Sequence, residues 1–442
     1  MRGVKLSTTV VGALLASIVL VLTAPSAFAD GKLTPSLRTS SLGAFDGVPY
    51  VQYEGSFVGK TSTGNYRVPF QLSAPADARL SNRAILVEPP HFAIGTVLRD
   101  WWLGRPFLFE RRFLHASVGY STATFGDGET VTNRILDPEA KGIFIHGGRA
   151  LPGEDGRTDD EIVADFARAL RTDKVARRLL GPVERRYLSG ASDSADTTDR
   201  IVAEGLADGI FGLAVSFTSD VVTDPQAAVA DGTYSGKLIA VQSELEWFYA
   251  RDDEDRGESP GGYRHFVVPG TPHVPDGLCP GQFSNETTPA SWQTAARAHF
   301  QQGHRWVTAN VPPPPSTRLA TTAGDDAIAR DSAGNALLVD IEGNRAPRLP
   351  YVELGEATFI TGFLGTYQPQ PPPTITDLGF SSHADYLAAF ESAVDDQVEA
   401  GYMLDEDAQA MLGRAQLSPP ATFTENYFDR YEQFRAGEHC AG

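Results

Sequence analysis

Apolar residues follow two different periods along the first half of the chain. Between residues 49 and 80, Tyr50, Gln52 and Glu54 alternate with Val51, Tyr53 and Gly55, and Gly64-Asn65 precedes the run Tyr66 to Leu72. That period of two, interrupted by a turn, predicts two strands in hairpin order. Ala84-Ile85-Leu86-Val87 is a compact β-rich run stopped at Pro89-Pro90. Phe113 to Tyr120 reads as a further strand and Gly142 to His146 as a shorter one. From Asp159 to Thr172 the period lengthens. Ile162, Val163, Phe166 and Leu170 share one helical face, with Thr158 in position to cap it.

Beyond this helix, short apolar runs rich in β-branched and aromatic residues recur at Val183 to Leu188, Ile210 to Phe217, Lys237 to Gln242 and Phe266 to Val268. Helical or irregular stretches separate them, the first being Ala195 to Gly205. Such alternation implies βαβ units and an α/β fold with a mostly parallel central sheet flanked by helices. Ligands in such sheets bind beyond the carboxyl ends of the strands. The last third differs in texture. A helix over Ala290 to Asn310 meets a break at Pro312 to Pro315, and 326–365 reads as strands or loops. A second break at Pro369 to Pro373 precedes two amphipathic helices, His383 to Gly401 and Asp405 to Ala415. The expected organisation is a leader over 1–29, one domain over 30–418 with lid or rim segments from about 290, and a polar tail over 419–442. No internal repeat is present.

Arg2 and Lys5, the apolar run Val10 to Leu22 and the Ala27-Phe28-Ala29 triplet form the pattern of a secretory signal peptide cut after Ala29. An uncleaved N-terminal anchor is the competing reading, but the run is short for a membrane span. The expectation is a secreted protein with no stable membrane insertion. Removing the leader takes two basic residues from a formal charge of −19, leaving −21. A surface this acidic argues against nucleic acid and anionic lipid as partners. Cys279 and Cys440 are the two cysteines, and in an exported chain two cysteines suggest one disulfide. Two separate buried thiols are the alternative.

Gly190-Ala191-Ser192-Asp193-Ser194 lies between the expected strand at Val183 and the expected helix at Ala195. A serine between small residues can occupy a sharp strand-to-helix turn with its hydroxyl exposed, the nucleophile elbow. A useful serine nucleophile also needs a base and an orienting acid. Ser243-Glu244-Leu245-Glu246 follows the strand ending at Gln242, and Pro269-Gly270-Thr271-Pro272-His273 follows the strand ending at Val268. The order serine, acid, histidine selects Ser192, Glu246 (with Glu244 as the alternative acid) and His273. His265 is disfavoured because it precedes the expected strand. The oxyanion donors fall to the N–H of Asp193 and to His91 or Phe92 in the loop after Val87, because Pro89 and Pro90 have no N–H to give.

The elbow, the Ser-Glu-x-acid turn and the Pro-Gly-Thr-x-His loop together resemble the bacterial α/β-hydrolase-domain family of largely uncharacterised exported proteins. The segments around Asp331 with Gly334-Asn335, Gly343-Asn344-Arg345-Ala346-Pro347, His383-Ala384-Asp385-Tyr386 and Gly401-Tyr402-Met403-Leu404 are similar as well. The resemblance implies an α/β-hydrolase fold with a lid, a serine hydrolase mechanism and no cofactor. Two departures stand out: Arg185 and Arg186 in the elbow strand, and glutamate where aspartate is commoner. The reading is an exported hydrolase of small-molecule or lipid-like carboxylic esters. Acyl transfer or amide cleavage on the same triad, and a catalytically silent envelope or partner-binding scaffold, are the alternatives.

Other motifs fail. Gly55 to Thr61 resembles a phosphate loop but has one residue too few between its glycines and falls in the expected hairpin. Asp252 to Asp255 lacks the spaced ligands and turn glycine of a calcium loop. No zinc-ligand spacing is present, so no metal is expected.

Overall fold

A computed structural model of the chain describes residues 31–61, 65–91, 103–119, 122–124, 130–132, 134–137, 142–145, 157–219, 223–247, 261–274, 290–322, 327–363, 365–368 and 374–417. The leader, Phe92, Asp252 to Asp255, Cys279, Pro369 to Pro373, Cys440 and the tail lie outside these residues.

Among the described residues, one large sheet holds β1 (Lys32–Leu33), β2 (Arg38–Phe45), β3 (Val48–Lys60), β4 (Asn65–Pro75), β5 (Ala84–Val87), β6 (Leu114–Val118), β7 (Arg185–Ala191), β8 (Leu213–Phe217), β9 (Lys237–Ser243) and β10 (Tyr263–Val268). Its order is β1-β3-β4-β6-β5-β7-β8-β9-β10, with β2 paired to β3. The N-terminal strands β1 to β4 pair antiparallel, and β4 pairs antiparallel with β6. From β6 onward every pairing is parallel. β3 and β4 form the expected hairpin, and Gly55 to Lys60 run inside β3, far from any helix start.

Side-chain alternation sends each parallel strand into two cores. Ala84 and Leu86 of β5 face one core while Ile85 and Val87 face the other. Leu213, Val215 and Phe217 of β8 likewise oppose Ala214. Both faces are therefore dry, which is why these strands read as continuous apolar runs. Helices α1 (Arg105–Glu110), α6 (Gln293–Ala309), α7 (His383–Glu399) and α8 (Asp405–Leu417) cover the first face through residues such as Phe107, Phe300, Phe390 and Met411. Helices α2 (Arg157–Thr172), α3 (Lys174–Leu180), α4 (Asp193–Ala203) and α5 (Pro225–Ala230) cover the second through Phe166, Leu180, Ile201 and Val229. The last third of the chain thus supplies a sheet-covering layer as well as rim segments. Among the described residues no helix is long and apolar enough to cross a membrane.

Two expectations need correction, the cap of α2 and the position of His265. Thr158 lies within helix α2 (Arg157–Thr172) and not at its cap. The short strand expected from Gly142 is present over Gly142–Ile145, where it pairs antiparallel with Arg134–Asp137 outside the main sheet. His265 lies within β10 instead of before it, buried with Nδ1 3.2 Å from the Thr317 carbonyl. The elbow strand accommodates its arginines differently. Arg186 is buried and donates to the carbonyls of Ala167 and Gly209, and burial pulls its guanidinium down to about 10, still protonated at neutral pH. Arg185 is half-buried beside Glu184. Arg186 is tolerated because backbone carbonyls from helix α2 and from the turn before β8 accept from its guanidinium.

Candidate active site

Because β5, β7, β8, β9 and β10 run parallel, their carboxyl ends share one edge of the sheet, and the segments following them converge there. Ser192 follows β7 and holds φ 55° and ψ −132° as the residue before α4. A non-glycine residue there costs on the order of 1–3 kcal/mol, and it persists only where its surroundings fix it. They do. The Ser192 N–H donates to the Phe217 carbonyl at 3.0 Å, tying the turn to β8. Ser194 Oγ accepts from the Ala191 N–H at 2.9 Å and lies 2.8 Å from the Ala191 carbonyl. Gly190 has no alternative, since a Cβ there would lie 2.1 Å from the Ser194 carbonyl oxygen.

Glu246 is fully buried in the turn after β9, where one oxygen accepts the Ser243 N–H at 3.0 Å. Its other oxygen lies 2.6 Å from Nδ1 of His273. Nε2 of the same ring lies 2.8 Å from Ser192 Oγ. A carboxylate at Nδ1 assigns the proton to that nitrogen and leaves the Nε2 lone pair for the serine hydroxyl.

Glu244, also fully buried, points elsewhere. Its carboxylate accepts the Gly270 N–H at 2.7 Å and pairs with Arg330 at 2.9 Å. Gly270 has φ 78°, a left-handed conformation suited to glycine, and begins the turn that delivers His273. Thr271 Oγ1 donates to the Val268 carbonyl at 2.6 Å. The His273 N–H donates to the Gly362 carbonyl at 3.1 Å, and its own carbonyl accepts from Trp292 Nε1 at 3.1 Å. Trp292 in turn stacks on Phe217, with ring centroids 6.0 Å apart. The imidazole of His273 stacks against Phe363, with centroids 5.1 Å apart and planes inclined by 19°.

Asp193 opens α4, so its N–H belongs to the helix end that favours negative charge. His91, at the end of the loop after β5, is buried with Nδ1 3.3 Å from the Asp193 carboxylate, an approach poorly aligned for hydrogen bonding. Burial, and secondarily the charge on His273, pull the His91 imidazole down to about 4. It is therefore neutral near pH 7, and the contact with Asp193 is not an ion pair there. At the base of the loop Glu88 lies 2.9 Å from His115 Nε2 in full burial, and its carbonyl accepts from Ser117 Oγ at 2.7 Å. Phe92, the other expected donor, lies outside the described residues.

The structure thus brings Ser192, His273, Glu246, Asp193 and His91 together and sets Glu244 behind the histidine loop. Trp292, Arg330, Gly362 and Phe363, which hold or flank His273, carry no local sequence signal because each arrives from a distant segment. Among the described residues no group of three or more His, Cys, Asp or Glu side chains is arranged to hold a metal ion.

The sheet order, the elbow and the converging serine, glutamate and histidine are joined by a family match: the model of the alpha/beta hydrolase domain covers residues 51–413. The chain belongs to the α/β-hydrolase domain family. The chain also has matches among solved structures that are distant in sequence. The rice cell wall degrading esterase LipA from Xanthomonas oryzae is 14% identical, with 43% of this chain and 50% of that chain covered at a TM-score of 0.30. The α/β hydrolase therefore spans about half the length of that esterase. Brefeldin A esterase, a bacterial homologue of human hormone sensitive lipase, is 11% identical over 51% of this chain and 69% of its own, also at 0.30. An S-formylglutathione hydrolase from Agrobacterium tumefaciens is 9% identical over 53% of this chain and 90% of its own, at 0.32. Likenesses this distant carry no argument about activity. No curated protein matches the chain.

Proposed function

We propose that this α/β hydrolase is an exported serine hydrolase that cleaves carboxylic esters through an acyl-enzyme. The observation that carries the reading is the line from Ser192 Oγ through the His273 ring to Glu246, with spacings of 2.8 Å and 2.6 Å. Ser192 Oγ attacks the ester carbonyl while His273 Nε2 takes its proton. The tetrahedral oxyanion faces the N–H of Asp193 and a donor from the His91 loop. Collapse breaks the bond to the alkoxy group, which takes the proton from Nε2 and leaves as alcohol. Water then enters along the same path, giving a proton to Nε2 as its oxygen bonds the acyl carbon, and collapse breaks the bond to Ser192 Oγ, which takes the proton back from Nε2 as the acid departs. Glu246 holds the imidazole in its tautomer and stabilises the imidazolium.

The acidic surface favours neutral small-molecule or lipid-like esters over polyanions. The leader pattern over 1–29 places the reaction outside the cytoplasm in this reading. The test is hydrolysis of p-nitrophenyl butyrate by the purified protein beside Ser192→Ala. The reading expects turnover that falls on the order of 10³-fold or more in the variant, with an unchanged circular dichroism spectrum. Equal activity in a folded Ser192→Ala protein contradicts it.

A further inference from the structure

We propose that Phe363 is the specificity-determining residue for the leaving alcohol and that the preferred substrates are esters of apolar, above all aromatic, alcohols. The inference rests on the serine hydrolase reading and adds a substrate class to it.

Two observations meet at this residue. The exposed large hydrophobic side chains among the described residues are Leu80, Val311, Ile360 and Phe363, and the last two lie within four positions of each other. Phe363 is the most exposed of them, at 60%. Exposed apolar groups that cluster mark a binding surface more often than those that scatter. This cluster sits on the segment hydrogen-bonded to the histidine loop. The Gly362 carbonyl accepts the His273 N–H at 3.1 Å, and the Phe363 carbonyl accepts the Val274 N–H at 2.8 Å. Ile360 ends the short strand Thr358–Ile360, which pairs with Thr366–Gln368 and anchors the segment.

The chemistry assigns the side of the substrate that this surface meets. Nε2 of His273 returns its proton to the leaving oxygen, so that oxygen and its first carbons pass beside the imidazole. Phe363 lies along one face of that ring, with its remaining surface open to solvent. An alkyl chain or aromatic ring on the leaving oxygen can cover this surface, whereas a methyl group is too short to do so. The acyl group departs from the carbonyl carbon on the side away from the leaving oxygen, so lengthening the acid is expected to leave the contact with Phe363 unchanged.

The test compares kcat/KM of wild type, Phe363→Ala and Phe363→Leu on two ester series. One holds butyrate constant and varies the alcohol through methyl, hexyl and benzyl. The other holds methanol constant and lengthens the acid. The expected result for Phe363→Ala is that kcat/KM on the hexyl and benzyl esters, taken relative to that on methyl butyrate, falls about tenfold, the scale of one apolar ring face withdrawn from water. Phe363→Leu is expected to keep hexyl turnover within about threefold and to lose benzyl preference, because a branched aliphatic group cannot stack. A uniform loss across all alcohols, or a loss that tracks the acid instead, overturns the inference while leaving the serine hydrolase reading standing. Wild-type protein that hydrolyses none of these esters overturns both.

Discussion

Glu246 and His273 are joined by a 2.6 Å contact between a carboxylate oxygen and Nδ1, although 27 residues separate them along the chain. The contact depends on the turn after β9, where the second oxygen of Glu246 is already held by the Ser243 N–H. A carboxylate fixed at one oxygen can orient an imidazole with the other. Glu246→Gln keeps this shape but removes the charge and offers an amide to the ring nitrogen. Its kcat is expected to fall on the order of 10³–10⁴-fold, while KM changes little. Glu246→Asp should recover part of the loss. Steady-state kinetics of the two variants check this, and a Glu246→Gln enzyme within tenfold of wild type contradicts it.

Glu244 provides the contrast. It is as buried as Glu246, yet its oxygens serve the Gly270 N–H and Arg330, so its work is to hold the histidine loop. Glu244→Ala leaves the buried Gly270 N–H without its acceptor, while Arg330, partly exposed, keeps its bond to the Gly334 carbonyl, and the expected loss of stability is about 1–3 kcal/mol. Glu244→Gln retains an acceptor for Gly270, so below its melting temperature its kcat is expected to stay within tenfold of wild type. Urea titration and kinetics on the same preparations test both statements. Equal kinetic damage from Glu244→Gln and Glu246→Gln would contradict the division of roles.

Gly190 is expected to tolerate no side chain. The Ser194 carbonyl that a Cβ would strike at 2.1 Å is backbone in the first turn of α4, so relief requires moving the helix away from β7. Gly190→Ala should therefore destabilise by about 3 kcal/mol or more and displace Ser192. Thermal unfolding of this variant beside Ser194→Ala, which loses only the hydroxyl contacts, separates the steric effect from the hydrogen-bonding one. A Gly190→Ala protein as stable as wild type contradicts the close approach.

His299 makes the fold sensitive to acid. Its ring lies 3.5 Å from that of Phe266 between centroids, and burial pulls its imidazole from the ordinary 6.5 down to about 3. The unfolded chain therefore binds more protons than the folded one between about pH 6.5 and 3. The stability from the neutral ring is complete above the unfolded value and is lost as pH falls through that window. His299→Leu cannot titrate. Its loss of stability between pH 7 and pH 4.5 is expected to be smaller than that of wild type by about 3 kcal/mol. Urea midpoints at the two pH values check it. Identical pH slopes would contradict a neutral buried His299.

The hairpin of β3 and β4 and the parallel strands were legible in the sequence because their signal is local: alternation and a turn in the first, buried apolar runs in the others. The elbow was legible for the same reason, since Gly190 and Ser194 act within four residues of Ser192. The pairing of Gly142–Ile145 was not, because a short strand carries no mark of its partner. Arg186 read as an oddity in a buried strand until the carbonyls of Ala167 and Gly209 supplied acceptors from two other segments. Two carboxylates two residues apart look alike along the chain. What separates Glu244 from Glu246 is Gly270, 26 positions away, and Arg330, 86 positions away. Phe363 is invisible for that reason too, being one aromatic residue among many until the fold lays it on His273.

The central claim is that Ser192 is an activated nucleophile. Purified protein treated with a fluorophosphonate and digested for peptide mass spectrometry tests this most directly. One phosphonylated peptide is expected, modified at Ser192, with no label on Ser192→Ala. Label located on another residue, or a folded wild type that takes none, would contradict it.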